Sequence, residues 1–529
     1  MSTQDDTKSI IAGAITKSTI VVGVFSVLSR LLGLVRDRLL ASNFGAGQVL
    51  DAYYAAFKIP DFFFNLLVLG AISAAFIPVY IKIKQKDVTQ ALNLSSALIN
   101  ALSLLLLIIG VVCFIAAPQL VSILTPGFNN ETMALTITFT RIMLLAMVIF
   151  GVSNVLGSLL QAERKFVSFA AAALGYNLGI ILGIILIVPL YGPIGLPIGV
   201  VFGSLLHLLI QIPEVRKIGF KFKIILWQSW LDLKNVSRLI MGRTVGLAAS
   251  SLEQVITAGF ISTMSVGSLA AYNLALNLQS FPINVFGVSL AVAIFPVISE
   301  AAALNNHEEC ATHFKQGIRR ILFFVLPLAI LFLVLRAQIV RVVLGAGMFD
   351  WDDTIRTANI LGFLALAMIS DSLLPLTART FYAFHDTKTP AATAVISVIV
   401  NVILLISLRS FGLTGVGIAY LISRLVNIGL LFSYLGKRLN SLGLDYIMAG
   451  VKVFVPIALV SGAATYGMLH VLAPLVDMKT FWGIFVQGGV AGLVGVASYL
   501  ILTTWAKLPE VDFMKKWVGV VVKKSKSVE

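Results

Sequence analysis

Long apolar stretches alternate with short polar connections along almost the whole chain. A helix that crosses a bilayer needs about 20 mainly apolar residues. Fourteen stretches qualify, at 19–41, 51–81, 91–117, 131–159, 166–188, 194–212, 236–262, 268–298, 319–344, 354–378, 390–408, 412–435, 449–472 and 481–505. The pattern therefore predicts an all-α polytopic membrane protein with fourteen transmembrane helices. The second and eighth stretches are long, and Pro60, Pro78, Pro282 and Pro296 give them places to bend.

The polar connections differ in charge. Lys82, Lys84 and Lys86 follow the second stretch, Arg164 and Lys165 the fourth, and Arg216, Lys217, Lys221, Lys223 and Lys234 the sixth. Lys315, Arg319 and Arg320 follow the eighth, Lys388 the tenth, and Lys437 and Arg438 the twelfth. The odd connections carry almost no basic residues, Arg409 and Lys479 being the exceptions. The positive-inside rule then places both termini and every even connection in the cytoplasm. Arg336 and Arg341, late in the ninth stretch, fit this less well and are expected to snorkel or to face a cavity.

Composition agrees. Of 529 residues, 58% are hydrophobic and 12% charged, against about 25% charged in soluble proteins. The net charge of +15 is distributed over these connections and the basic tail, which points to membrane topology and away from nucleic acid. The tail, with Phe513 and Trp517 among lysines, is expected on the anionic inner leaflet, or else as a disordered solubilising end. The opening MSTQDDTKSIIAGAIT has no basic n-region with a compact apolar core and reads as a retained amphipathic lead-in. Cys113 and Cys310 are too far apart in sequence and context for a disulfide framework or thiolate metal site. No GxxxxGK[ST], HExxH or cysteine–histidine spacing occurs, so an ATP-driven pump or a metalloenzyme is disfavoured, and no metal or cofactor is expected.

A weak internal repeat runs through the chain. Ala52-Tyr53 matches Ala271-Tyr272, Pro78 matches Pro296, Phe128 matches Phe349, and Gly192 and Gly195 match Gly412 and Gly415, at offsets of 219, 218, 221 and 220. Each unit holds six stretches, an even number, so both enter the membrane in the same sense as a parallel repeat. The expected lobes are 1–225 and 226–440, with 441–529 outside the repeat. Transporters commonly place substrate between such halves.

The first stretch contains SRLLGLVRDRLL, with Arg30, Arg36, Asp37 and Arg38. At about 100° per residue, Ser26, Ser29, Arg30, Gly33, Arg36 and Asp37 share an arc about 120° wide. Valines and leucines fill the other side. A charged arc cannot rest against lipid tails and should border water or a polar ligand. The second stretch adds Asp51, Lys58 and Asp61. Arg30, Arg36 and Lys58 suit an anionic ligand, phosphate in particular, with Asp37 and Asp51 holding the cations in place between substrates. The plainer alternative is that Arg36 and Asp37 pair with neighbours to fix packing. Glu253, alone in the seventh stretch, either binds a cation or proton or bonds a neighbouring helix. Asn177 and Asn401, in matching stretches, read as interhelical glue.

SRLLGLVRD, FGAGQVLDAYYAAFKIPDF and GAISAAFIPVY resemble the opening of the MurJ (MviN) family of lipid II flippases, in the multidrug/oligosaccharidyl-lipid/polysaccharide exporter superfamily. TPGF, FGVSLAVAIFPVISEAA and ARTFYAFHDTKTP fit the same pattern. The resemblance implies two six-helix bundles around a central basic cavity, a C-terminal helix pair forming a lipid groove, and no enzymatic activity. It implies movement of a lipid-linked peptidoglycan precursor, undecaprenyl-diphosphate with its disaccharide-pentapeptide, from inner to outer leaflet of the bacterial cytoplasmic membrane by alternating access. Coupling to membrane potential, sodium or protons is implied, as are membrane lipids and cell-wall synthesis proteins as partners. Arg30, Arg36, Asp37, Asp51 and Lys58 correspond to cavity positions, as does Asn277, where the family carries an arginine. Phe64 and Asn65 also stand where many members carry basic residues, so a less positive cavity is expected. Arg243, Arg379 and Arg424 are candidates to compensate. Alternative functions are a flippase for another polyprenyl-diphosphate glycan, a cation-coupled drug antiporter, and an intramembrane transferase, for which no acid/base constellation is visible.

Overall fold

The ends of the helices are set by local side chains. Asp87 accepts the Thr89 and Gln90 amides at 2.7 and 3.1 Å, and Asn306 accepts the Glu309 amide at 3.1 Å. Asn129 and Asp350 do the same for Thr132 and Asp353, each at 2.8 Å. Such caps satisfy amides that have no partner within the first turn. The computed structural model describes residues 2–69, 76–224, 248–439 and 441–515, with side chains from residue 23.

In its first part the chain forms α1 (Ser2–Phe44), α2 (Gln48–Ala56), α3 (Lys58–Phe64), α4 (Ile77–Lys84), α5 (Val88–Ile115), α6 (Ala117–Leu124), α7 (Asn130–Ala162), α8 (Phe166–Leu182), α9 (Val188–Tyr191), α10 (Gly195–Lys217) and α11 (248–262). There follow α12 (Ser268–Pro282), α13 (Ser289–Ala303), α14 (His307–Val334), α15 (Arg336–Leu344), α16 (Trp351–Ala383), α17 (Lys388–Ser407), α18 (Gly412–Leu439), α19 (Leu444–Leu472) and α20 (Phe481–Trp505). No strand occurs among the described residues. The chain divides into two compact units, Met1–Ala270 with Gly347–Phe349, and Ala271–Ala346 with Asp350–Glu529.

The repeat extends to backbone detail. Helices α5 and α14 are both 28 residues long, and α7 and α16 both 33. Single residues, Ala116 and Leu335, interrupt the chain at equivalent places. Arg164 and His385 both turn at φ 58°, after α7 and α16. Gly192 and Gly412 take φ 63° and 54°, a left-handed turn that side chains with a Cβ resist. Two π-helical turns match as well, at Asn65–Leu69 and Ile283–Val288, whereas a third, Gly183–Ile187, falls where α17 stays α-helical.

Ten stretches among the described residues are long and apolar enough to cross a membrane, and Phe166–Lys217 covers both the fifth and sixth expected spans. The first expected span belongs to the single helix α1, the second runs from α3 into a π-helical turn at Asn65–Leu69 with 70–75 outside the described residues, and the seventh lies partly outside them as well. Outward faces confirm the solvent. On α5, Leu98, Leu102 and Leu106 are buried in the core, yet Leu107, Val112 and Ile115 are 53%, 60% and 70% exposed. A helix apolar on both faces belongs in lipid. The ninth expected span, 319–344, is corrected: α14 ends at Val334, and Arg336 and Arg341 sit on the separate helix α15. There Arg336 Nη1 donates to the Leu333 carbonyl at 2.8 Å, and Arg341 lies 4.7 Å from the centre of the Trp351 ring.

Helices α8 and α10 meet through glycine. Gly179 and Gly183 face Gly203 and Gly199, while Gly175 lies against Leu206 and Ile210 and Gly195 against Ile187 and Val188. A Cβ on Gly179 would lie 2.2 Å from the Gly203 Cα, and one on Gly203 2.5 Å from the Tyr176 carbonyl oxygen. Small residues allow this close approach, which lipid alone does not drive. Gly179→Leu should therefore force the helices apart and cost ~1–3 kcal/mol or more. A fall in the thermal midpoint of the purified protein, absent for Leu at the open Gly489, would show it.

Candidate functional site

The exposed apolar positions of α1, Val24, Val27, Leu28, Leu31 and Val35, lie on one side, 43–52% exposed. The polar arc turns the other way, towards α8. Asn177 of α8 donates to the Ser29 carbonyl and hydroxyl, both at 3.2 Å, and the Ser29 hydroxyl donates to the Ala173 carbonyl at 3.3 Å. This contact is the interhelical bonding expected of Asn177, and it has a second consequence. The Asn177 Oδ1 accepts Arg36 Nη1 at 3.2 Å, while Arg36 Nε and Nη2 reach Asp37 Oδ1 at 3.0 and 2.8 Å.

Arg36 is thus aimed, not sealed. Its side chain keeps 21% exposure against 4% for Asp37, and these bonds use only part of the five N–H donors of a guanidinium. The second helix supplies the remaining wall. Tyr53 and Tyr54 of α2 lie within electrostatic reach of Arg36 and Asp37. Tyr176 of α8 is likewise within reach of Arg36 and Asp61. Lys58 and Asp61 attract each other one turn apart on α3. Lys58 is half-buried and Asp61 exposed. An exposed carboxylate is costly against hydrocarbon and belongs beside water or a polar group.

The other expected residues are placed as follows. Arg30 is half-buried on the polar arc of α1, two turns before Arg36. Asp51 is 3% exposed, and its two carboxylate oxygens accept the Gly267 and Ala270 amides at 2.6 and 2.8 Å. It caps the chain entering α12, a structural task within the same unit. Glu253 is 4% exposed on α11, with Thr257 equally buried one turn on. Asn65 donates to the Ser251 hydroxyl at 3.4 Å. Arg243 lies outside the described residues.

In the second unit, Asn277 is half-buried on α12, and its carbonyl accepts the Ser280 hydroxyl at 2.7 Å. Arg424 Nε lies 3.6 Å from Asp371, which also accepts Gln279 Nε2 at 3.1 Å and the Tyr420 hydroxyl at 3.0 Å. Arg379 lies 5.7 Å from the centre of the Phe295 ring. Sequence reading missed Asp371 and the tyrosines around Arg36. A lone carboxylate within the apolar run AMISDSLLPL was the available signal for the first.

Comparison with known proteins follows from this geometry. A family profile described as "Lipid II flippase MurJ" matches residues 40–486. A "Probable lipid II flippase MurJ" of Vibrio cholerae is 27% identical over 512 residues, covering 92% of this chain and 95% of that protein. One of Rickettsia prowazekii is 27% identical over 442 residues, covering 83% and 86%. A solved structure described as "Lipid II flippase MurJ, inward closed conformation" superposes with TM-score 0.75 at 23% identity, covering 92% of this chain and 98% of that one. An inward-facing multidrug transporter of the MATE family gives 0.65 at 17% identity over 78% of this chain and 95% of its own. At such identities these two structures speak for the fold alone. With the profile spanning most of its length and the charged opening helix in place, the chain belongs to the MurJ family of lipid II flippases.

Proposed function

We propose that this protein moves lipid II, the undecaprenyl-diphosphate-linked peptidoglycan precursor, from the inner to the outer leaflet of the bacterial cytoplasmic membrane. The observation that carries the reading is the Arg36 fork, held by Asp37 and Asn177 yet with its side chain still 21% exposed. A guanidinium fork suits the oxygens of a diphosphate. Arg30 and Lys58 add charge on the same two helical segments. Transport proceeds by alternating access, with lobes at 1–225 and 226–440 and the last two of fourteen spans in 441–529. Both termini are cytoplasmic, following the basic connections. No bond in the substrate is made or broken. Membrane potential, sodium or protons reset the carrier, with Glu253 the candidate site for a cation or proton. One elementary charge crossing 100 mV contributes about 2.3 kcal/mol. Membrane lipids and cell-wall synthesis proteins are its partners.

Depletion of the protein should arrest wall synthesis with lipid II held in the cytoplasmic leaflet. A leaflet-resolved probe, such as labelling or cleavage of externally exposed lipid II, reads this directly. Continued appearance of lipid II outside after depletion, with no second flippase present, would reject the assignment.

A further inference from the structure

Beside the cationic site stands a row of rings from four helices. Phe64 of α3 meets Phe150 of α7 edge to face at 5.7 Å between centroids. Phe150 meets Tyr176 of α8 at 4.8 Å and 82°, and stacks on His207 of α10 at 4.7 Å and 28°. The row is fixed from behind. The Ser153 hydroxyl lies 2.6 Å from His207 Nδ1, and Gln211 Nε2 donates to that hydroxyl at 2.7 Å. Ser153 and Gln211 are themselves fully buried.

Two facts distinguish this row from the sealed interior, although Phe64 also packs against the edge of that core. The rings that fill the interior of the same unit, Phe76, Tyr80 and Phe139, are 0% exposed, whereas Phe64, Phe150, Tyr176 and His207 each remain half-buried. The row also begins at the charged site: Tyr176 lies within electrostatic reach of Arg36 and Asp61, and the next residue, Asn177, holds the Arg36 fork. An anion-binding group and an accessible aromatic face are therefore contiguous. That is the layout of a glycosyl diphosphate, in which the phosphate is attached directly to the sugar ring.

We propose that Phe64, Phe150 and Tyr176, set edge to face, line a site at which a pyranose ring packs against an aromatic face next to the diphosphate held at Arg36. The axial C–H groups of a pyranose carry slight positive charge and match the negative face of an aromatic ring. The chain thereby uses ring stacking at Phe64, where relatives with a basic residue would use charge. This inference rests on the lipid II reading above and names which part of that substrate the first unit grips.

The test compares two ligands on the purified full-length protein in nanodiscs: a polyprenyl diphosphate, and the same lipid carrying one N-acetylhexosamine. Wild type should bind the glycosylated lipid more tightly. Phe150→Leu should weaken that lipid about tenfold and leave the bare diphosphate unchanged, and Phe150→Tyr should restore the difference. Phe64→Leu, at the end of the row, provides a second variant if Phe150→Leu unfolds. Equal loss for both lipids, no loss for either, or equal wild-type affinity for the two would overturn this sugar site. Failure of wild type to bind even the bare diphosphate would instead reject the diphosphate reading.

Discussion

Replacing Arg36 by alanine is expected to abolish growth of a strain that depends on this protein, while the protein still inserts. The fork is already oriented by Asp37 and Asn177, at 2.8–3.2 Å, so little ordering is needed when an anion arrives. The substitution also removes a charge partner of Asp37, which is 4% exposed. Removing one partner of a buried pair costs ~3–5 kcal/mol, and the partial exposure of Arg36 puts this case towards the lower figure. The informative variant is therefore Arg36→Gln with Asp37→Asn, which removes both charges together. If that protein accumulates normally and still fails to support growth, the guanidinium serves the substrate. Full growth would mean that Arg36 only balances Asp37, and the phosphate role would be lost. Arg36→Lys keeps the charge without the planar fork and should support growth weakly.

Glu510→Ala should give the largest loss of stability. Arg319 and Glu510, with side chains 10% and 4% exposed, pair at 2.5 Å in the second unit. Arg319 lies 4.5 Å from the centre of the Tyr446 ring and 5.6 Å from that of Phe454. Gly450 makes the room, since a Cβ there would meet Arg319 Nε at 3.0 Å. Leu508 and Val511 enter the core on either side of Glu510, and Arg320 covers Phe513 at 4.4 Å. Leaving Arg319 without its carboxylate in this setting costs ~3–5 kcal/mol, even with the Tyr446 carbonyl still accepting Nη1 at 3.4 Å. Thermal unfolding in detergent should fall accordingly, and Arg319→Met with Glu510→Leu should recover most of the loss, because both charges leave together. A Glu510→Ala protein that unfolds with wild type would show that the pair holds nothing.

The polar arc of α1 was legible because helical periodicity alone sorts its charged positions from Val27, Leu31 and Val35. Its partner on α8 was only half legible. Asn177 could be read as a bond between helices, but its hold on Arg36 depends on the rotation of α8, which periodicity does not supply. Asp51 was placed beside the cations by its position in the sequence. Its bonds run to Gly267 and Ala270, more than 200 residues away, and no local pattern reports them. The break at Leu335 escaped notice since hydropathy measures polarity and the apolar run continues through it. The equivalent residue Ala116, at the same repeat offset, carried the missing information. The glycine stripes of α8 and α10 were visible at a spacing of four, yet only Gly192 and Gly195 were read, as repeat markers.

The matched π-helical turns at Asn65–Leu69 and Ile283–Val288 have a mechanical consequence. Such a turn stores one residue beyond the ordinary α-helical count. Letting it out swivels everything downstream by about 100° without breaking the rod. Asn277 stands upstream of the Ile283–Val288 turn and α13 downstream of it, so this segment can turn its far end while its near end stays in place.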